Sequence, residues 1–173
     1  MSANWYKEQP TNRNFLNPIG FILKLEKFAG VDFFCQSANV PDVTMPVTEV
    51  PSRFRNLPII PGGGVTFGDL VVRFIVDEDL VNYNSIHKWI RDNGNADEML
   101  RETSDEDQYT NGQLHILTSA FNPAFIVDFR NLFPVALTNL QFDATMTDTE
   151  YITAEVVFKH QQFFLCDKNS KPL

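Results

Sequence analysis

The sequence predicts an α+β protein, mainly β, in which two antiparallel sheets pack together as a sandwich or flattened barrel with one flanking helix. Three observations predict this class. About seven or eight short segments have the two-residue alternation or apolar composition of β-strands. Only one segment repeats apolar side chains at the three-to-four spacing of a helix. Ten prolines, sixteen phenylalanines and no long apolar run are typical of a β-rich chain.

Length and charge narrow the class of protein further. A chain of 173 residues fits one domain, residues 1–173, with enough apolar side chains for a core. The net charge of −8 argues against sequence-independent binding to nucleic acid, which needs clustered cations. The N-terminus lacks the apolar segment of a secretory signal, and no segment is long enough to span a membrane, so we expect synthesis in the cytoplasm.

The N-terminal quarter predicts an arm followed by a hairpin. Residues 1–18 are too aromatic for an inert tail, and Trp5 and Tyr6 are candidates for contact with a neighbour or with the domain itself. A strand over Phe21–Leu25, a turn at Gly30 and a second strand over Phe33–Val40 predict an antiparallel pair.

The proline-rich segment 41–61 interrupts regular strand pairing, because each proline removes a backbone donor. Two interpretations stay open for it: an extended arm or edge strand over Val47–Phe54, or a long solvated loop. A projecting arm would suit contacts between subunits. The candidate contact residues in it are Val47, Val50, Arg53, Phe54 and Arg55.

The stretch from Leu70 to Gly94 predicts a buried strand followed by the helix. Leu70, Val72, Phe74 and Val76 share one face of the strand. Acidic residues 77–79 then lie where a helix begins, and basic residues 88 and 91 lie near its end, with Gly94 just past it. The expected apolar stripe of the helix is Leu80, Tyr83, Ile86, His87 and Ile90.

The second half of the chain predicts an acidic loop and further strands. Residues 96–112 hold six carboxylates and one arginine, which indicates a solvated loop more than a calcium site. Extended runs follow over Gln113–Ala120, Phe125–Phe129 and Leu132–Leu137, with an edge or bulge at Phe133-Pro134. The clearest strand has Ile152, Ala154, Val156 and Phe158 on one face, and residues 166–173 are expected to form a fraying tail. The predicted core is Leu70, Val72, Phe74, Val76, Tyr83, Ile86, Ile90, Val156 and Phe158.

The sequence offers no recognisable catalytic or cofactor chemistry. His87, His115 and His160 lie in three different elements without a metal-ligand spacing, and no nucleophile signature is present. Gly62–Gly64 lacks the Lys-Ser/Thr ending of a phosphate loop. Cys35 and Cys166 are expected to be thiols, with a structural disulfide as the alternative. We therefore expect a binding or assembly protein without catalytic residues, cofactor or metal.

Four stretches together resemble a known family of viral proteins. They are NFLNPIGFIL (14–23), FFCQSANVPDV (33–43), VVRFIVDEDLVNY (71–83) and IHKWI (86–90). Their order, with a final strand ending near Phe158, resembles the tail tube and tube-initiator (baseplate hub) proteins of T4-like contractile-tailed phages. The likeness covers residues 14–164 and lies in the order of the elements, since no single motif is diagnostic.

The resemblance implies a phage tail-tube fold, a homohexameric ring whose inner strands form a continuous barrel, and rings that stack into a tube carrying DNA. It implies sheath and baseplate or neck proteins as partners, a location in the virion tail, and passage of DNA without specific binding. By analogy, Val47–Phe54 reaches an adjacent ring. The alternatives are a tube initiator, tail completion or neck protein of the same fold and, more remotely, a small-ligand binding module or hydrolase on a β-barrel.

Overall fold

The longest strand of the protein runs through both of its sheets. The computed structural model describes residues 14–27, 34–51, 53–61, 64–94, 108–145 and 150–173. The elements in chain order are β1 Phe21–Leu25, β2 Cys35–Ala38, β3 Val43–Thr44, β4 Val47–Pro51, β5 Asn56–Pro61, β6 Thr66–Phe67, β7 Leu70–Ile75, α1 Val81–Gly94, β8 Thr110–Leu117, β9 Pro123–Leu137, β10 Thr153–Lys159 and β11 Gln162–Asp167. The chain is thus mainly β with one long helix in the described residues, as predicted.

Strand β9 joins the two sheets because its halves have different partners. Its first part pairs with β8 on one side and β11 on the other, and β8 pairs in turn with β1. Its last residues pair with β10, and β7 and β2 follow beyond β10. All pairs are antiparallel. Asn131, with φ of 54°, lies between the two parts of β9. The two runs predicted on either side of Asn131 are therefore one strand.

The described parts of the first two strands do not pair with each other as the predicted hairpin requires, and the predicted turn at Gly30 lies outside the described residues. Strand β1 pairs with β8, and β2 pairs with β7, which places them at opposite ends of the strand order. The pairing with β8 places Leu23 and Leu25 in the core, where both are buried. Burial of these side chains thus outweighs the small entropic advantage of a short connection.

The core lies between the two sheets and the helix. Leu70, Val72 and Phe74 are fully buried, as their alternation predicts. From the facing strands come further buried side chains, and Val76, Tyr83 and Ile90 pack against the cluster while partly exposed. The other buried members are Leu23, Leu25, Ile86, Trp89, Leu114, Val127, Phe129, Leu132, Ala154, Val156 and Phe158.

The face that the helix turns to the core overlaps the predicted one only in part, since Ile86 is buried and Tyr83 and Ile90 pack against the cluster. Its buried residues are Asn82, Ile86 and Trp89, whereas Leu80 and His87 are exposed. Leu80 has a positive φ of 56° and precedes the helix, so its side chain is not part of the helical stripe. The acidic residues also precede the first turn, which contains none of them, and Gly94 is the last helical residue. Arg91 alone is basic in the last turn.

Two predicted loops are partly strand. Thr110, Asn111 and Gly112, assigned to the acidic loop, begin β8, and the rest of that loop up to residue 107 lies outside the described residues. A Cβ at Gly112 would approach Leu132 Cδ1 to 2.8 Å, so this end of β8 is closely packed. The C-terminal segment is not a fraying tail. Cys166 lies in β11, and the chain folds back so that Leu173 N donates to Leu165 O at 2.9 Å.

Pro134 lies at the irregularity that the sequence indicated. It pairs with Phe158 of β10, next to the register shift between Val157 and Phe158. Pro134 itself is buried, so the position is a bulge inside the structure and not an outer edge. The bulge occurs where β9 leaves one sheet and enters the other, a place at which a proline removes no bond that a regular ladder needs.

Candidate assembly surface

Strands β1 and β2 lie at the two ends of the strand order within the described residues. Strand β1 pairs with β8 alone, and β2 pairs with β7 alone. The end strand of a sheet is a place at which a strand from another chain can be added. Both edges flank the same core, so pairing there would extend a sheet without disturbing the fold.

Strands β4 and β5 form a two-stranded ribbon that, within the described chain, is not paired with either of the two sheets joined by β9. It pairs from Val47↔Pro61 to Pro51↔Asn56, with a register shift between Thr48 and Glu49. The prolines at 51, 58 and 61 lie within these strands. In an antiparallel pair only alternate residues donate across the ladder, so prolines in the other positions remove no interstrand bond. Within the predicted segment Val47–Phe54, Val47–Pro51 is extended and pairs with β5, whereas residues 53–55 form a bend at the tip of the ribbon.

The ribbon exposes apolar side chains. Phe54, at its tip, is 91% exposed, and Val47 and Val50 are 51% and 42% exposed. The guanidinium carbon of Arg53 lies 5.6 Å from the centre of the Phe54 ring. Arg53 and Arg55 are also exposed. The ribbon thus ends in an exposed apolar side chain flanked by two cations.

A groove of about 1220 Å³ runs along β1. Its polar side chains come from strands β1, β8 and β9 and bind one another. Gln113 Nε2 donates to Asp128 Oδ1 at 3.2 Å, Asn111 Nδ2 donates to Glu26 Oε2 at 3.2 Å, and the Arg130 guanidinium lies 3.6 Å from the Asp128 carboxylate. Most of the polar side chains that line the groove are thus engaged with other side chains.

Other exposed apolar side chains were not among the predicted contact residues. Phe15 is 85% exposed, just before β1, and Phe142 and Tyr151 are exposed on either side of residues 146–149. An aromatic residue beside turn-forming residues, as in Tyr151 after Thr147–Thr149, is the signal that could have identified them. Trp5 and Tyr6, which were predicted contacts, lie outside the described residues.

The three histidines occupy separate places. His87 is exposed on the helix, and His115 lies in β8 between Ile22 and Ile126 in register. Burial, and secondarily the charge of Lys24, lowers the pKa of His115. His160 lies among aromatic rings, described below.

Neither a metal site nor a membrane helix is found in the part of the chain that the structure describes. No three His, Cys, Asp or Glu side chains there are grouped to hold a metal ion. No helix there is long and apolar enough to cross a membrane. Cys35 and Cys166 are not joined by a disulfide, and burial, aided by Asp128, raises the pKa of the Cys166 thiol.

Comparison with known proteins shows likeness of structure and not of sequence. No protein-family model and no curated protein sequence matches the chain. A chain of the tube-terminating cap of the anti-feeding prophage superposes with a TM-score of 0.64 at 15% identity, over 96% of this chain and 99% of that one. The chain has the tail-tube fold. The likeness to tail-tube proteins predicted from residues 14–164 is thus confirmed as a likeness of fold.

Two further structures share the tail-tube fold. A chain of the sheath–tube complex of an extracellular contractile injection system has a TM-score of 0.61 at 15% identity, over 96% of this chain and 98% of that one. A chain of the six-fold symmetrised anti-feeding prophage baseplate has a TM-score of 0.60 at 16% identity, over 85% of this chain and 91% of that one. The fold therefore occurs in the tube, the cap and the baseplate assemblies of contractile particles.

Proposed function

We propose that the chain is a structural, non-enzymatic subunit of the tube of a contractile tail, assembling as rings that stack. The observation that carries the proposal is the ribbon of β4 and β5, which stands apart from the sheet and exposes Val47, Val50 and Phe54. On an isolated subunit this surface is a liability, whereas in a stack of rings it is covered. The tail-tube fold supports the same conclusion.

The positions of β1 and β2 at the two ends of the strand order support ring closure. Head-to-tail contact between different edges of identical subunits generates a closed ring when the rotation is right. The groove beside β1 is bounded by backbone and by self-paired polar side chains, which suits an added strand. We propose a homohexamer, consistent with the six-fold symmetry of one assembly that contains this fold.

The proposed tube conducts DNA without binding it specifically. The net charge of −8 disfavours adhesion of a polyanion to the protein. The proposed partners are further copies of the chain, the sheath, and baseplate or neck proteins, within a virion tail assembled from protein made in the host cytoplasm. Candidate contacts between subunits remain Val47, Val50, Arg53, Phe54, Arg55, Trp5 and Tyr6.

A second candidate is an initiator, cap or other end-piece of the tube. It is favoured by the similar chains in cap and baseplate assemblies. The two proposals differ in growth, because a tube subunit adds indefinitely whereas an end-piece stops at a discrete ring. The remote alternative of a small-ligand module is not supported by the groove, most of whose polar side chains are already paired.

Electron microscopy of the purified protein across a concentration series, with mass measurement alongside, tests the proposal. Long hollow tubes, or stacked rings whose length grows with concentration, are the expected result. Discrete rings that never lengthen would transfer the chain to the end-piece class. A monodisperse monomer at every concentration, also after addition of preformed tube ends, would overturn both proposals.

A further inference from the structure

The ribbon is attached to the body through a short stem formed by β3 and β6. Val43 pairs with Phe67 and Thr44 with Thr66, and Gly68 N donates to Asp42 O at 2.9 Å. Because β4 and β5 lie between β3 and β6 in the chain, the stem's position sets where the ribbon points. The contacts that hold the stem therefore determine the direction of the ribbon.

The side chain of Phe67 inserts into a cluster of aromatic rings on the body. Its ring centre lies 5.4 Å from that of Phe163 and 5.8 Å from that of His160. Phe129, which is fully buried, completes the cluster at 5.7 Å from Phe163 and 5.3 Å from His160. Phe67 thus packs the stem against β9 and β11, while Asn39 and Asp69 bind the base of the stem to β7 and to Lys159.

His160 is packed in this cluster as though it were an apolar ring. Neither of its nitrogens has a hydrogen-bond partner among the described residues, and both are buried. Its ring is also 5.6 Å from Phe163 in an edge-on arrangement. A neutral imidazole tolerates such surroundings at modest cost, whereas an imidazolium would need acceptors that the three phenylalanines do not provide.

The charged groups around His160 do not remove this cost. Burial is the main cause that lowers the pKa of His160, with Asp69 opposing the change and Lys159 adding to it. Lys159 Nζ and Asp69 Oδ1 lie 2.6 Å apart as an ion pair, so each largely cancels the other's effect. From β6, β9 and β11 the ring is faced by Phe67, Phe129 and Phe163.

We infer that Phe67 is the residue that positions the ribbon. Phe67 stays packed in the aromatic cluster only while His160 is neutral, so that mild acid releases the stem. The consequence for assembly rests on the proposed function, since a released ribbon could no longer meet a neighbouring ring in a fixed orientation. The packing of Phe67 in the aromatic cluster is itself a property of one subunit. Acid would thus loosen the ribbon before it unfolds the core.

Amide hydrogen exchange on dilute, unassembled protein tests the inference, with protection factors corrected for intrinsic rates at about pH 7.5 and about pH 5. The reporter is the Gly68 amide, which is hydrogen-bonded across the stem. Its protection should fall by up to about tenfold for each pH unit below the ordinary histidine value of 6.5. Amides of β7 and β10 should remain more strongly protected than the Gly68 amide at both pH values.

Three variants test whether protonation of His160 is what lowers the protection of the Gly68 amide. His160→Phe keeps a ring but cannot take a proton, so the Gly68 amide should stay protected at both pH values. Phe67→Ala should lower the protection of this amide at both pH values. His87→Gln, a change on the exposed face of the helix, is the control and should behave as the wild type. For the wild type, an NMR titration of His160 should share its midpoint with the shift changes of the stem, which provides a test that needs no substitution.

Equal protection of Gly68 at both pH values, an acid-sensitive His160→Phe protein, or stronger protection in acid would each overturn the inference. Failure of the proposed function has a different signature, because the exchange measurement uses the unassembled chain. If no tubes or rings form at any pH while the protection of the Gly68 amide falls in acid as expected, the tube proposal fails. The inference that the packing of Phe67 is acid-sensitive then remains valid.

Discussion

The side-chain amide of Asn82 donates a 2.9 Å hydrogen bond to the backbone carbonyl of Ile75, the last residue of β7. Asn82 is 2% exposed, and its own backbone N–H lies 3.4 Å from the Asp77 carboxylate. One buried polar side chain thus connects the start of the helix to the end of the preceding strand. This contact fixes the helix orientation that brings Ile86 and Trp89 onto the core.

Replacing Asn82 by alanine should lower the free energy of unfolding by about 1–3 kcal/mol, because the Ile75 carbonyl loses its buried donor. Chemical denaturation at neutral pH measures the change. Asn84→Ala, on the exposed face of the same helix, is the matched control and should cost much less. Equal costs for the two variants would show that the hydrogen bond to Ile75 contributes nothing specific.

Phe74→Ala should cost about 3–5 kcal/mol of unfolding free energy, because the side chain is fully buried in the main cluster and its removal leaves a cavity. Phe54→Ala removes the same atoms from a ring that is 91% exposed and should leave the stability of the monomer nearly unchanged. Denaturant melts of both variants on unassembled protein provide the comparison. A cost near zero for Phe74 would contradict its position in the core.

Deleting the ribbon, residues 47–61, should leave a folded subunit and abolish stacking of rings. The stem pairs Thr44↔Thr66 and Val43↔Phe67 remain, and the described core contains no ribbon side chain. Circular dichroism checks the fold and electron microscopy checks assembly. The single substitution Phe54→Ser should weaken stacking in the same direction, since it removes the apolar tip without shortening the chain. Normal tubes from the deleted protein would exclude the ribbon from the interface.

Stability should fall as the pH drops through the range below 6.5, in part because of His115. Burial lowers the pKa of this imidazole in the folded state, so the unfolded state binds the proton more tightly. The contribution is fully present above 6.5 and is lost as the pH falls toward the folded value. His115→Leu should therefore show a shallower decline in denaturation midpoint between about pH 7 and about pH 5. His87→Gln should decline as the wild type does, and an unchanged slope for His115→Leu would contradict the assignment.

Much of the fold could be predicted because alternation reports burial directly. The faces of Leu70–Ile75 and of Thr153–Lys159 follow from the two-residue period, since every second side chain must enter the same layer. The resemblance of element order to tail-tube proteins also identified the fold. Strand β11 was missed, because Phe163, Phe164 and Leu165 form a continuous apolar run that does not show the strand period.

The surface proposed for assembly was predictable in part. The prolines left an extended arm and a solvated loop both open, and Phe54 between two arginines was a candidate contact. That the segment pairs with β5 could not be read from the prolines, because their effect depends on whether each N–H faces the ladder or solvent. The exposure of Phe142 likewise depends on where the chain between β9 and β10 lies.

The sequence by itself determined that the chain is mainly β with one long helix in the described residues, and which faces of Leu70–Ile75 and Thr153–Lys159 are buried. These properties depend on neighbouring residues and on the geometry of one element. Only the tertiary structure decided that β1 pairs with β8, that Asn82 faces the core, and that three phenylalanines from three strands surround His160. Such pairings join residues far apart in the chain, and they are selected by the burial of the whole core because the local cost of one connection over another is small.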